Sequence, residues 1–316
     1  MRSRGAAAGG VKMGEKSKIA WTDHTFNPWW GCQKISPGCQ NCYAETMANR
    51  FDRVGDGLWG PNSWRKTFGE DHWREPLKWN RRAKREGKIR RVLSGSMCDV
   101  FEDRLGLDRE REKLWKLIEE TPDLIWMLLT KRPENIDRML PVWWLNPAYK
   151  DQKPDNIWMG ITAENQDELE ERWPVLMITG MSWGINKLFI SSEPLLGPLY
   201  LEDKLEDMWE GEDFIVRKID WVIVGGETGN NARPMNPSWV RSIQKQCKEA
   251  GVPFFFKGWG EWGPMDAVRE EVWPERHEIV LPPAFKFEDG MEVFKWGREN
   301  LVNRLDGKTW EDYPVE

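Results

Sequence analysis

The most constraining feature of this 316-residue sequence is a repeated alternation of short apolar runs with segments of helical character. Runs such as IWMLL, LFIS, WVIV and PFFF are continuous rather than alternating, which is the pattern of strands buried on both faces of a parallel sheet. We predict strands at residues 18–22, 91–94, 124–130, 157–162, 187–192, 221–224 and 253–257, and helices at 108–120, 165–175 and 238–250. Parallel strands need crossover helices, so we expect an α/β fold: a partial or open (β/α) barrel of about six to seven parallel strands.

Three regions fall outside this alternation. Residues 1–14 are rich in Gly and Ala, and we expect a disordered extension there. The barrel domain is then expected over 15–262, with 53–88 as an inserted loop that lies over the rim, and 263–316 as a small α+β tail with a strand-like segment at 278–281. No apolar run approaches the roughly 20 residues that cross a bilayer, and the start lacks a secretory signal, so we expect a cytoplasmic protein without membrane partners.

Short polar segments follow most of the predicted strands. They begin at Ser94, Thr130, Thr162, Ser191, Gly225 and Lys257. Any one of them is compatible with an ordinary turn or helix cap. Because the carboxyl ends of parallel strands meet at one edge of the sheet, we expect Glu164, Glu193, Glu227 and Lys257 to lie on one rim with the residues that follow strand one.

Three of the five cysteines, Cys32, Cys39 and Cys42, lie within eleven residues, after the first predicted strand and before a helix predicted to begin near Tyr43. Three thiolates can fill three corners of a four-iron cubane and leave one iron open. Zinc is the alternative, and its fourth ligand would be His24, His72, Cys98 or an acid. A redox-active or unligated trio is the third possibility. Cys247 falls in a predicted amphipathic helix, where we expect packing.

The three-cysteine segment after the first strand of a partial barrel resembles the radical SAM superfamily. That superfamily usually has the spacing Cys-x3-Cys-x2-Cys, whereas this sequence has Cys-x6-Cys-x2-Cys. Asn41 stands where an aromatic residue usually precedes the last cysteine, and Tyr43 follows it. The resemblance implies a 4Fe-4S cluster held by the three cysteines and S-adenosylmethionine (SAM) as cofactor.

A second resemblance covers residues 18–313. Its motifs are SPGC with CYAE, LTKRP, SEPLLGP, WVIVGGE, ARPM, and FFFK with WGEW. These strings resemble the phage and prophage family named gp-thirty-seven and gp-sixty-eight, which is itself regarded as radical-SAM-like. This resemblance implies the chemistry and leaves the substrate unidentified.

The two resemblances imply roles for the polar residues at the strand ends. Catalytic roles in handling SAM or substrate fall to Glu227, Lys257 and Glu193, and cofactor binding falls to Ser94, Ser96, Asp99, Tyr43 and Glu164. A reductant such as flavodoxin or ferredoxin would supply the electron. A nucleobase or nucleic acid is the candidate substrate class.

The charge pattern supports a rival hypothesis from another class of protein. The net charge of −6 gives no general attraction to phosphate backbones, so nucleic-acid binding would have to be local. One basic segment stands out: Arg81, Arg82, Lys84, Arg85, Lys88, Arg90 and Arg91. The rival is a zinc- or cluster-stabilised nucleic-acid-binding phage protein without catalysis, and a third hypothesis is an oxidoreductase whose cluster only transfers electrons.

Overall fold

Seven parallel strands form the centre of the fold. The computed structural model describes residues 17–51, 57–145, 154–206, 208–210, 214–272 and 281–315. The strands are β1 (His24–Phe26), β2 (Arg90–Ser94), β3 (Leu124–Thr130), β4 (Ile157–Thr162), β5 (Lys187–Ser192), β6 (Trp221–Gly225) and β7 (Phe254–Gly258). Each strand pairs in parallel with the next one along the chain. The predicted extension 1–14 and most of the predicted strand 278–281 lie outside the described residues.

The strand order decides the shape of the sheet. Every crossover moves to the next strand in the same direction, and such crossovers are right-handed, so the helices collect on one face and the sheet curls around the other. β1 and β7 are the two edges, and within the described residues they do not pair with each other. The predicted α/β open barrel is therefore confirmed as a seven-stranded half-barrel.

The helices supply the crossovers and the outer layer. They are α1 (Tyr43–Phe51), α2 (Glu70–Trp73), α3 (Glu75–Glu86), α4 (Asp108–Glu119), α5 (Ile136–Met139), α6 (Gln166–Ser182) and α7 (Pro237–Glu249). Short 3-10 helices span Pro37–Cys39, Pro133–Asn135, Val142–Leu145, Glu202–Lys204, Met265–Ala267, Glu270–Val272 and Arg298–Asn300. Two small antiparallel pairs join Trp29–Trp30 to Lys66–Thr67 and Met208–Glu210 to Phe214–Val216. Asn165 and Asn236 cap α6 and α7 through their side chains, which satisfies backbone donors that a helix leaves unpaired.

Large side chains fill the inside of the half-barrel. Side chains alternate between the two faces of a strand, and one set packs under the helices while the other points inward. The inner cluster consists of Trp21, Leu93, Ile125, Met127, Trp158, Phe189, Trp221, Ile223 and Phe255. This cluster therefore occupies the interior of the half-barrel among the described residues.

The first strand begins later than its apolar pattern predicts. Residues 18–22 form turns, and the first strand is β1, which begins at His24. The reason is that Trp21 enters the inner cluster, where its ring meets Phe189 and Trp221 at centroid distances of 6.4 and 6.1 Å. Thr22 also donates through Oγ1 to the backbone oxygen of Arg91, so regular pairing starts only after it.

The C-terminal extension packs against the free edge of β7. The backbone N–H of Phe256 donates to the oxygen of Trp310 over 2.9 Å, and that of Asp312 donates to Phe254 over 3.2 Å. Upstream in the tail, β8 (Ala284–Lys286) and β9 (Glu292–Phe294) form an antiparallel hairpin. The tail therefore covers an edge that would otherwise expose unpaired backbone groups.

No helix among the described residues is long and apolar enough to span a bilayer.

Gly160 in β4 tests how tightly the interior is filled. A Cβ added there would lie 2.5 Å from ring atoms of Phe189, the residue beside it in β5. We expect Gly160→Ala to lower the free energy of unfolding by about 1–3 kcal/mol, the usual cost of overpacking a core, measured by urea denaturation. Gly57→Ala is the control, because nothing lies within 4 Å of the added atom. An unchanged midpoint for Gly160→Ala would contradict this packing.

Candidate functional site

A pocket lies at the carboxyl ends of the strands. Its empty space of about 900 Å³ includes open solvent. Cys32, Cys39 and Cys42 line it from the connection after β1, and Glu193 and Lys257 line it from the ends of β5 and β7. Residues separated by more than 200 positions in the sequence therefore face one space.

The three cysteines occupy three different backbone settings in one loop, residues 32–42, which we call the three-cysteine loop. Cys32 precedes the irregular part, Cys39 ends the 3-10 helix, and Cys42 directly precedes α1. The 3-10 turn is closed by hydrogen bonds from the N–H of Cys39 to the oxygen of Ser36 (2.9 Å) and from that of Gln40 to Pro37 (3.2 Å). All three thiols are free and partly exposed. The loop thus presents three sulfurs to one pocket.

Arg132 is the cation beside Cys32. Its Nη1 lies 3.7 Å from Sγ of Cys32 and 2.8 Å from Oδ2 of Asp99, and its Nη2 donates to the oxygen of Gln33 over 2.8 Å. Burial and the Asp99 carboxylate raise the pKa of Cys32 to about 12, and Arg132 only partly opposes them. In the metal-free protein this thiol is protonated at neutral pH, so a metal ion would have to displace its proton.

Part of the predicted insertion lies beside Cys32. Trp59 forms an isolated bridge with Cys32, and the N–H of Gly60 donates to the Cys32 oxygen over 2.9 Å. Arg65 and Glu102 form a buried ion pair at 2.5 Å, and the same guanidinium donates to several backbone oxygens of the segment, Leu58 among them at 2.9 Å. The insertion thereby contributes Trp59 to the wall of the pocket.

Asp99 ties two strand ends together. Its carboxylate accepts from the N–H of Phe101 (3.0 Å), Oγ1 of Thr130 (2.7 Å) and the N–H of Lys131 (3.1 Å), in addition to Arg132. A carboxylate with this many protein donors is well suited to orienting Arg132 toward Cys32. Asp99 also lines the pocket.

The other predicted cofactor-binding residues near β2 occupy different depths. Ser96 lines the pocket, and its backbone oxygen accepts a 2.8 Å hydrogen bond from the hydroxyl of Tyr43, which also lines it. Ser94 is fully buried, does not line the pocket, and its Oγ has no hydrogen-bond partner within the described part of the chain. Ser96 and Tyr43 are therefore accessible to a ligand, and Ser94 lies beneath them.

The far wall of the pocket carries an ion pair. Nζ of Lys257 contacts Oε2 of Glu193, and Nε1 of Trp21 donates to Oε1 of Glu193 over 3.1 Å. The side chain of Lys257 is 36% exposed and that of Glu193 is 15% exposed, so a charged ligand could reach both. This wall offers one anion and one cation to a bound molecule.

Glu164 and Glu227 lie at the same end of the sheet but are absent from the described lining of the pocket. The Glu164 carboxylate meets Ser36 and Arg172, and the Glu227 carboxylate meets Asn41 and Arg233. Both carboxylates thus face the three-cysteine loop, whereas the sequence pattern placed them among residues that contact cofactor or substrate.

Two further cysteines occupy different environments. Cys98 lines the pocket, and burial raises its pKa well above the ordinary value. Cys247 lies on the buried face of α7 and is fully buried in the core, as its position in an amphipathic helix predicts. Sequence patterns did not single out Trp21 or Arg132, although Arg132 belongs to the TKRP string after β3.

The donors that the pocket offers to a metal are thiols, which both zinc and iron–sulfur clusters bind. Among the described residues, no three His, Cys, Asp or Glu side chains stand close enough to hold a single metal ion. Of the candidate fourth ligands for zinc, Cys98 lines the pocket, whereas His24 and His72 do not. The rings of His24 and His72 stack on Trp79 and Phe68 at centroid distances of 4.4 and 4.1 Å. What the pocket does offer is three thiols on one loop, the donors that iron–sulfur clusters use.

The basic segment 81–91 lies away from this pocket. It spans the end of α3 and the start of β2, so it lies at the amino end of the strands. Arg90 pairs with Asp23 and Glu86, and the guanidinium of Arg91 lies 4.2 Å from the ring centroid of Tyr313. The segment and the cysteines therefore do not form one surface.

Fold and pocket together define an α/β half-barrel protein with a cysteine-lined pocket at the carboxyl ends of its strands. The chain belongs to DUF5131, a family of unknown function whose model matches residues 16–314. Two variants of spore photoproduct lyase, one with a cysteine-to-serine and one with a tyrosine-to-phenylalanine substitution, are similar solved structures at 14% and 12% identity. Each match covers 92% of this chain and 72% of the other, with a TM-score of 0.44. Comparison with curated proteins gives no match.

Gly38 tests how closely the three-cysteine loop approaches β4. A Cβ added at Gly38 would overlap the carboxylate of Glu164. We expect Gly38→Ala to displace the loop and to speed alkylation of Cys39 and Cys42 by iodoacetamide in metal-free protein about tenfold, measured by mass spectrometry. Gly69→Ala, where the added atom meets nothing within 4 Å, should leave the rates unchanged. Equal rates in the two variants would show that the approach is not tight.

Proposed function

We propose that this protein is an iron–sulfur enzyme of radical SAM type. The observation that carries the proposal is that three free thiols from one loop after β1 line a pocket at the carboxyl ends of a parallel half-barrel. Active sites of β/α barrels lie at this end of the sheet. Cys32, Cys39 and Cys42 would hold a 4Fe-4S cluster through their sulfurs.

When bound, the cluster and SAM would supply reductive cleavage of the SAM sulfonium, giving methionine and a 5′-deoxyadenosyl radical that takes hydrogen from a substrate. The chain would provide binding, orientation and exclusion of water. Apolar side chains of Leu93, Met97 and Leu129 line the pocket and would keep water away from the reacting groups. A reductant such as flavodoxin or ferredoxin would deliver the electron.

In this proposal, polar residues on the two sides of the pocket bind different groups. Ser96 and Tyr43 lie on the cysteine side and would contact the cofactor, and Asp99 would orient Arg132 there. Glu193 and Lys257 lie on the far wall, where a ligand's amino or carboxylate group would compete for one partner of their ion pair. These two residues would handle charged groups of SAM or substrate.

The placement of the basic segment bears on the substrate class and on the rival hypothesis. Arg90 and Arg82 both pair with Glu86 at the amino end of the sheet. A nucleic acid held by this segment would lie at the opposite end from the cysteines. The basic segment therefore does not supply substrate binding beside the cysteines. We favour the enzyme because the three thiols line a pocket, and we retain a nucleobase as the candidate substrate.

The first test of this function concerns iron. We expect anaerobically reconstituted protein to bind about four irons per chain, the number in a cubane cluster, and Cys32→Ala, Cys39→Ala or Cys42→Ala each to abolish the brown chromophore. Cys247→Ala removes a core thiol and Cys98→Ala removes a thiol of the pocket outside the trio, so both should retain iron. Iron content and the visible spectrum are the measurements.

Two outcomes would contradict the assignment. A full cluster after loss of any one of the three cysteines would remove that residue from the ligand set. A colourless protein that takes up zinc but no iron would favour the zinc alternative.

The second test concerns the far wall. We expect Lys257→Met to reduce formation of 5′-deoxyadenosine from SAM by reduced, loaded protein at least about tenfold with iron content unchanged, since a charged hydrogen bond contributes roughly 1.5–3 kcal/mol. Lys187→Met is the matched control, because Lys187 forms a similar pair with Asp220 (Nζ to Oδ1, 3.9 Å) at the opposite end of β5. Product is quantified by chromatography over a time that allows slow uncoupled cleavage.

Equal rates of 5′-deoxyadenosine formation by Lys257→Met and Lys187→Met would show that Lys257 does not take part in the reaction. If fully loaded wild-type protein forms no 5′-deoxyadenosine with several reductants, the radical SAM function itself is wrong, and an electron-transferring cluster becomes the better hypothesis.

A further inference from the structure

The three-cysteine loop is attached to the far side of the half-barrel through residues that lie between its cysteines. Ser36, Pro37, Gln40 and Asn41 all contact groups that follow β4 or β6. We infer that Glu164, Glu227 and Arg233 are positioning residues that fix the three-cysteine loop in the arrangement a metal cluster needs. This inference rests on the proposed function, and it assigns the two carboxylates to the loop instead of to SAM or substrate.

Glu164 fixes the first half of the loop. Its side chain is fully buried just after β4, and it accepts from Oγ of Ser36 over 2.5 Å and from Nη1 of Arg172 over 2.8 Å. Burial alone would raise the pKa of Glu164, but the charges of Lys131 and Arg172 hold it below its usual range. Glu164 is therefore an anion held in place by two cations, with the Ser36 hydroxyl as its contact to the loop.

Glu227 fixes the second half. Its Oε2 accepts from Nδ2 of Asn41 over 3.0 Å and from the backbone N–H and Nε of Arg233, both over 2.8 Å. Burial raises the pKa of Glu227, but the hydrogen bonds from Arg233 and Asn41 outweigh this effect and lower it. The side chain is only 5% exposed. Its oxygens are directed at protein donors.

Arg233 joins this carboxylate to the 3-10 turn. Its Nη2 donates to the oxygen of Pro37 over 3.0 Å, and its Nη1 lies 3.3 Å from Oε1 of Gln40. One planar guanidinium thus binds Glu227 and two points of the loop on either side of Cys39. A lysine could not make all these contacts at once, because its ammonium is a single point.

The C-terminal extension and the end of β7 support the segment that carries Arg233. Nε1 of Trp262 donates to the oxygen of Ala232 over 2.7 Å, and Nζ of Lys295 donates to that of Asn230 over 2.5 Å. The carboxylate of Glu261 accepts from the N–H of Gly229 over 2.9 Å. Glu261 and Trp262 after β7, together with Lys295 of the extension, therefore hold the backbone segment from which Arg233 reaches the loop.

Amide hydrogen exchange in metal-free protein tests the inference. The backbone amides of Cys39 and Gln40 close the 3-10 turn through hydrogen bonds. Their exchange rates therefore report on opening of the loop. We expect Arg233→Met to speed their exchange about tenfold or more, because it removes several charge-assisted hydrogen bonds, and Ser36→Ala to have a smaller effect. Ser36→Ala tests the Glu164 contact while leaving the buried Glu164–Arg172 pair intact.

Arg241→Met is the matched control. Arg241 pairs with Asp306 at 2.7 Å and its side chain is 37% exposed, against 30% for Arg233, but it lies on α7 away from the loop. We expect this control to leave loop exchange unchanged. Urea unfolding of both variants checks that their global stabilities fall by similar amounts, so that any difference in exchange is local.

A second measurement follows iron in reconstituted protein. Arg233→Met should lose iron to a chelator about tenfold faster than Arg241→Met and should change the EPR line shape of the reduced protein, which a general loss of stability would not do. Unchanged loop exchange in Arg233→Met overturns the inference, and so does faster exchange with unchanged iron loss. Wild-type protein that takes up no iron refutes the proposed function instead, and the exchange data on metal-free protein still decide whether these residues fix the loop.

Discussion

Parallel pairing of seven strands in chain order is the constraint on which the rest of the structure depends. The strands are buried on both faces, so their backbone groups must find partners within the sheet. Sequential order places every crossover on the outer face and every carboxyl end on one rim. Cys32 after β1, Glu193 after β5 and Lys257 at the end of β7 therefore face one pocket although nothing in their local sequence links them.

The interior packing then decides where that pocket can lie. Trp21, Trp158 and Trp221 occupy the inside of the half-barrel, with ring centroids of neighbouring pairs 6.1 Å apart in edge-to-face contact. Nε1 of Trp221 donates to the oxygen of Asp312 over 2.8 Å, so the C-terminal tail is tied to the same cluster. With the interior filled and one edge covered, the pocket lies at the rim that holds the cysteines. These three tryptophans thus contribute to the packing of the interior.

The sequence predicts the fold well wherever burial on both faces makes the apolar run continuous. β3, β4 and β5 have the predicted bounds for this reason. The first strand was predicted wrongly. Its apolar residues Ile19 and Trp21 line the pocket and do not belong to a strand. The spacing of the cysteines reveals a candidate site, but it cannot reveal that Glu227 meets Asn41 across 186 positions. Strand-end position indicates which rim a side chain occupies, and only tertiary contacts decide whether it faces the ligand or the loop.

To bind a cluster as proposed, the three-cysteine loop must keep its sulfurs directed toward the pocket, so other residues of the loop have to make the contacts that hold it in place. In this chain they come from between the cysteines: a hydroxyl at Ser36, the close approach at Gly38 and an amide at Asn41. The partners are buried anions, and each is held by an arginine, Arg172 or Arg233, because a buried carboxylate without a cation would be strongly destabilising. Six residues separate Cys32 from Cys39, and Ser36, Pro37 and Gly38, which contact Glu164 or Arg233, all lie among them. We therefore infer that these six residues position the thiols of Cys32 and Cys39 relative to the strands.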